Sequence, residues 1–215
     1  MEDKMTDVAN AANVSNVSNN NSCEAHVCSH KMAFMLDNWV RKLFQNPRKI
    51  VGEYIKEGDT VIDLGCGPGF FSIEMAKMVG SKGKVIAADL QEEMLTRVRK
   101  KAIKKGVADR VEFHRCREDR VGLEPEQKAD FILAFYMVHE TPDPAAFLAE
   151  VKTYLKEGGK FLVVEPNMHV TQEKYEEMIN MAKNSGFAVV DHPKKKGGRS
   201  VLLTLWHESQ VDGAI

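Results

Sequence analysis

From about residue 61 the chain alternates short apolar runs with longer helical patterns, and this rhythm constrains the fold more than any other feature. Residues 61–64, 84–88, 110–114, 131–135 and 161–164 read as buried strands. Residues 71–79, 92–105 and 144–156 read as helices; Gly106 stops the second, while Asp143 and Gly158-Gly159 frame the third. Asn46-Pro47 reads as the N-cap and first residue of an earlier helix reaching about residue 55. Such alternation predicts βαβ units, hence an α/β fold: a doubly wound, mainly parallel sheet with helices on both faces. The end breaks the rhythm. Residues 171–184 read as a helix closed by Gly186, and 187–190 and 201–206 as strands joined only by the loop 192–199. Two strands so connected pair antiparallel, so a C-terminal β-hairpin is expected.

Composition narrows the function classes. Thirty Lys+Arg against 31 Asp+Glu give a formal net charge of −1, which excludes a generally basic nucleic-acid coat. No apolar run approaches the roughly 18–20 residues of a membrane span, so no membrane partner is expected. The N-terminus shows no apolar h-region, and four cysteines make no disulfide framework. A reducing, cytoplasmic setting is the expectation. Residues 1–22 are rich in Asn and Ser and are expected to be a disordered tail, with residues 208–215 a second tail.

The first strand runs into Val61-Ile-Asp-Leu-Gly-Cys-Gly-Pro-Gly-Phe70. Glycines at such a turn let a ligand touch the backbone, and doubly wound sheets bind ligands at the C-terminal ends of their strands. The next strand ends in Asp89, 20 residues beyond Gly69, about the spacing at which an acid grips a ribose. Taken singly, the glycines would also serve a tight turn and Asp89 a helix N-cap. Position 70 holds Phe where a dinucleotide fingerprint has glycine, and no Gly-Lys-Ser/Thr follows, so a P-loop is excluded and a nicotinamide enzyme is disfavoured. The acid at the start of the loop, Asp63, suits a cationic amino-acid end better than a pyrophosphate. S-adenosylmethionine has that end.

On these residues the chain resembles the class I S-adenosylmethionine-dependent methyltransferases, in particular their small-molecule branch near the quinone-biosynthesis and arsenite enzymes. Residues 61–69 look like their motif I, Asp89 like their ribose acid, 129–135 like their fourth-strand motif, and Leu155-Lys-Glu-Gly-Gly-Lys-Phe-Leu162 like their turn into strand five. The resemblance implies a Rossmann-like methyltransferase fold with a seven-stranded sheet over residues 47–207, a cap or lid at 23–46, and S-adenosyl-L-methionine as cofactor. It implies that Asp63, Gly65, Cys66 and Gly67 line the methionine end. Asp89 would hold the ribose, with Leu90 and Met94 packing nearby. Cys116-Arg117 stands where family members contact adenine, although the usual Asp of that motif is absent. Ala134 and Phe135 would approach from strand four. Cys66 reads as a small buried residue rather than a nucleophile.

Methyl transfer is an in-line displacement that needs alignment of the nucleophile and, where that carries a proton, a base. The segment after strand four, Phe135-Tyr-Met-Val-His-Glu-Thr-Pro142, offers His139 as base and Tyr136 to orient the acceptor. His139 and Glu140 would equally serve to fix the loop. Glu165, at the end of strand five, is a weaker candidate. The absence of insertions around the last helix and strands favours a small-molecule acceptor over nucleic acid. Monomer and homodimer both stand open.

Cys23, His26, Cys28 and His30 form a soft-ligand set without a standard zinc spacing, so no metal site is assigned. Capture of a metalloid or thiol acceptor by Cys23 and Cys28, as in arsenite methyltransferases, is one alternative. A tail with incidental cysteines is another. A non-catalytic S-adenosylmethionine-binding module is the alternative from another class. The cationic run Arg97, Arg99, Lys100, Lys101, Lys104 and Lys105 is expected on a solvated helix face, as is Lys194-Lys-Lys196 on its loop.

Overall fold

A computed structural model describes residues 46–195 and 198–206. The expectations for residues 1–45 and 207–215, the cysteine and histidine cluster included, lie outside the described residues. The elements run α1 (Pro47–Val51), β1 (Thr60–Leu64), α2 (Ser72–Met78), β2 (Lys84–Asp89), α3 (Glu92–Lys105), β3 (Val111–Arg115), β4 (Ala129–Phe135), α4 (Pro144–Thr153), β5 (Leu155–Pro166), α5 (Gln172–Asn184), β6 (Phe187–Asp191) and β7 (Gly198–Leu205). They build one seven-stranded sheet in the order β3-β2-β1-β4-β5-β7-β6. β1 to β5 pair in parallel, and β7 pairs antiparallel with both β5 and β6. The expected C-terminal hairpin is present, but its second strand is the inner one. The side chains explain this. Val201, Leu202 and Leu203 are buried and suit an interior strand, whereas Val190 is half exposed and suits an edge.

Period-two alternation sends the strand residues to two cores. Ile62, Leu64, Ile132, Ala134, Phe161 and Val163 pack on the side of α4 and α5. Val61, Phe131, Leu133, Phe135 and Leu162 pack on the side of α1, α2 and α3. The helix starts follow the sequence signals: Asn46, Asp143 and Thr171 each accept a hydrogen bond from a first-turn N–H. Gly106 closes α3 in the left-handed region, φ 65°.

Several expected boundaries shift. α1 ends at Val51 rather than near residue 55, because Gly52 caps it onto the Arg48 carbonyl and the chain then turns. α4 ends at Thr153 rather than 156, because Ala129 donates to the Tyr154 carbonyl and draws Leu155 into the sheet. The expected Gly158-Gly159 turn is therefore an irregularity inside β5, with Gly158 at φ 73°. β7 begins at Gly198, before the expected residue 201, and pairs Arg199 with Glu165.

Candidate active site

The parallel strands β1, β2, β4 and β5 point their C-terminal ends to one edge, where the predicted residues gather. Over β1 the glycine loop folds back as the sequence suggests: Gly65, Gly67 and Gly69 all have positive φ, at 63°, 51° and 81°. Each has a separate physical reason to lack a side chain. A Cβ on Gly65 would lie 3.0 Å from Cβ of Met137, and one on Gly69 would lie 3.0 Å from Val98 of α3. A Cβ on Gly67 would meet nothing within 4 Å, so this glycine faces open space where a ligand can approach the backbone. Lys101 of α3 donates to the Pro68 carbonyl at 2.9 Å and ties the loop down.

Asp89 joins the two strands of this half. Its carboxylate accepts from Gly67 N at 2.8 Å and from Gln91 N at 2.9 Å. A carboxylate has about four acceptor positions, so capacity remains for a donor such as a ribose hydroxyl. Burial pushes the Asp89 carboxyl above its ordinary range, against the pull of the Gln91, Gly67 and Leu90 amides. Asp63 is 2% exposed and accepts from Ser72 Oγ at 2.5 Å. Two buried carboxylates flanking an open glycine are a donor-accepting set that fits a cationic, hydroxyl-bearing ligand such as S-adenosylmethionine. Cys66 is buried, its thiol turned to the Gly67 carbonyl and held well above the usual thiol range by burial. It is a packing residue, as expected.

The remaining cofactor candidates separate. Met94 is buried and Leu90 half-buried beside Asp89. Ala134 is fully buried, and Phe135 packs against Phe71 with ring centroids 4.6 Å apart. Cys116 donates its backbone N–H to the Asp89 carbonyl, and burial pushes its thiol up to about 12. Arg117 is exposed, and among the described residues no side-chain hydrogen bond joins it to Asp89. Its backbone N–H closes a turn onto Arg120 instead.

Over β4 and β5 the structure assembles a second group. His139 sits in a 3-10 turn, Val138–Glu140, one turn beyond β4. Its Nδ1 lies 2.5 Å from Oε2 of Glu165, at the end of β5, and its backbone N–H donates to Oε1 at 3.3 Å. Glu165 is 2% exposed, and both of its carboxylate oxygens face His139, which leaves Nε2 of the imidazole outside this contact. The Glu165 hydrogen bond raises the His139 pKa above the usual imidazole value, outweighing partial burial. The ring of His169 lies parallel to that of His139, centroids 6.4 Å apart. Tyr136 has φ 62°, rare for a residue with a side chain, and its ring packs on Phe135 with centroids 4.2 Å apart. That strained turn carries Met137 against Gly65, so the two halves of the site touch. Sequence reasoning did not single out Ser72 and His169, nor the pairing of Glu165 with His139. Only the shared strand edge pairs Glu165 with His139, 26 residues away.

A profile of the family described as "Methyltransferase domain" matches residues 55–209. The ubiquinone/menaquinone biosynthesis C-methyltransferase UbiE of Francisella philomiragia is 32% identical over 111 residues, 52% of this chain and 44% of that protein. UbiE of a Marinomonas species is 28% identical over 126 residues, 57% of this chain and 50% of that protein. The chain thus spans about half the length of the curated relatives it matches. A SAM-dependent methyltransferase from Aquifex aeolicus superposes with a TM-score of 0.73 and 29% identity, over 82% of this chain and 98% of that one. A SAM-dependent O-methyltransferase from Thermotoga maritima, at 24% identity and TM-score 0.59, covers 76% of this chain and 65% of that one; it shares the fold. With the glycine loop, Asp89 and the sheet order in agreement, the chain belongs to the methyltransferase-domain family of class I S-adenosylmethionine-dependent methyltransferases.

Proposed function

We propose that this chain methylates a small organic acceptor bearing an acidic O–H, with a quinol-type ring the favoured class. S-adenosylmethionine, when bound, supplies an electrophilic methyl on a sulfonium. Asp89, Asp63 and the Gly67 backbone hold that group. His139 is the base. Its Nδ1–H donates to Glu165, its Nε2 takes the acceptor's proton, and the buried Glu165 carboxylate balances the charge that forms. The His139–Glu165 pair is the observation that carries this reading. It stands at the same edge as the glycine loop, linked to it by Met137 on Gly65. A phenolic acceptor deprotonated by His139 becomes nucleophilic at oxygen and at the ring carbons ortho and para to it. Carbon methylation is what the names of the UbiE relatives describe.

Release of S-adenosylhomocysteine from S-adenosylmethionine, measured across phenols and quinols, tests the reading. Turnover with a quinol that drops in His139→Ala supports it. Binding of S-adenosylhomocysteine without turnover on any acceptor makes the chain a binding module instead. Turnover on arsenite with reduced thiol, lost in Cys23→Ser/Cys28→Ser, would move it to the metalloid enzymes.

A further inference from the structure

α3 buries Met94, Leu95, Val98 and Ala102 and turns its remaining residues outward. Among the described residues two of its six cations have partners in the fold: the Arg99 guanidinium lies 4.7 Å from the Phe113 ring centroid, and Lys101 holds the Pro68 carbonyl. Lys100, Lys104 and Lys105 are exposed and form no ion pair among the described residues. Between them stands Ile103, 66% exposed. Residues 100, 103 and 104 share one side of the helix by their spacing. Beside this face runs a groove of about 470 Å³ with Pro47, Phe70 and Ile73 on one wall and Lys101, Lys104 and Lys105 on the other. Glu74, the acid that lines the groove, is already paired with Lys77 at 2.5 Å and Arg48 at 3.5 Å. In a chain of net charge −1, this is segregated and uncompensated positive charge around apolar surface.

We infer that this face of α3 and the groove beside it dock the protein on an anionic lipid surface. Phosphate headgroups complement the ammonium groups of Lys100, Lys104 and Lys105, unpaired among the described residues, and the exposed Ile103 meets the acyl boundary. Single-stranded nucleic acid fits less well, because it needs exposed aromatic faces; Phe113 is covered by Arg99 and Phe70 is buried. The expectation of no membrane partner rested on the lack of a spanning segment, which does not bear on attachment at a surface. This inference is independent of the acceptor.

The test is co-sedimentation of the full chain with phosphatidylcholine vesicles, with and without phosphatidylglycerol, at low and high salt. The chain should sediment with the anionic vesicles only, and salt should release it. Lys100→Gln/Lys104→Gln/Lys105→Gln should weaken binding about a hundredfold, at about fivefold per lysine. Ile103→Ser should weaken it less, through the apolar contact alone. Thermal stabilisation by S-adenosylhomocysteine should be unchanged in both variants, which separates lost docking from lost folding. Equal binding to neutral vesicles, no binding to anionic ones, or undiminished binding by the triple variant would each overturn the inference. So would binding to single-stranded RNA without binding to vesicles.

Discussion

Over β1 and β2 the site is built from one stretch of chain: Asp63, the three glycines and Asp89 lie within 27 residues, and backbone hydrogen bonds from Gly67 and Gln91 lock them together. Over β4 and β5 it is built from side chains that meet across the sheet: His139, Glu165 and His169, around a strained turn at Tyr136. The first half offers backbone and carboxylates, which bind. The second offers an imidazole held by a buried acid, which in the proposed reaction moves a proton. In the proposed function binding and chemistry are carried by separate segments, and substitutions should separate them too.

The largest effect should come from the proton-moving half. His139→Ala should lower turnover by about 10²- to 10⁴-fold and leave S-adenosylhomocysteine affinity unchanged, measured by steady-state kinetics and calorimetry. If affinity falls as much as turnover, the two halves are not separate. Asp89→Ala should do the reverse. A lost charged hydrogen bond is worth about 1.5–3 kcal/mol, so S-adenosylhomocysteine should bind about 10- to 150-fold more weakly by calorimetry.

Within the glycine loop, Gly65→Ala and Gly67→Ala should differ. Both pay about 1–2 kcal/mol for a Cβ in the left-handed region, but only Gly65→Ala also collides with Met137. Thermal denaturation should show the larger loss for Gly65→Ala, and cofactor affinity should suffer in Gly67→Ala beyond its stability cost.

The smallest effect is a shift along the pH axis. The base must be neutral to accept a proton, and Glu165 raises the His139 pKa. The acid limb of the rate profile should therefore lie above about 6.5 and move down in Glu165→Gln. Stability carries the matching sign. Because the folded pKa is raised, the charged contact stabilises fully below about pH 6.5 and fades as pH rises through the folded value. The gap in melting temperature between the parent chain and Glu165→Gln should be widest at acidic pH.

The cofactor half was legible because its signals are local. Gly65, Gly67 and Gly69 are needed wherever the chain turns back under a helix, and Asp89 ends the next apolar run, so spacing alone pairs them. Arg117 enters the same half on resemblance alone; its side chain is exposed, and its backbone N–H closes a turn onto Arg120. The end of α4 is not legible locally. Its helical pattern runs on past Thr153, and only the pull of Ala129 on Tyr154 ends it.

By itself the sequence determined the alternation of strands and helices, the antiparallel end, the glycine turn and the acid that serves it, because period, turn chemistry and spacing act within a few residues of one another. Only the tertiary structure decided that β7 lies inside β6, that Met137 packs on Gly65, and that Glu165 holds His139. Those choices compare burial and hydrogen bonding among segments far apart in the chain, and their energies exist only once the sheet has brought the segments together.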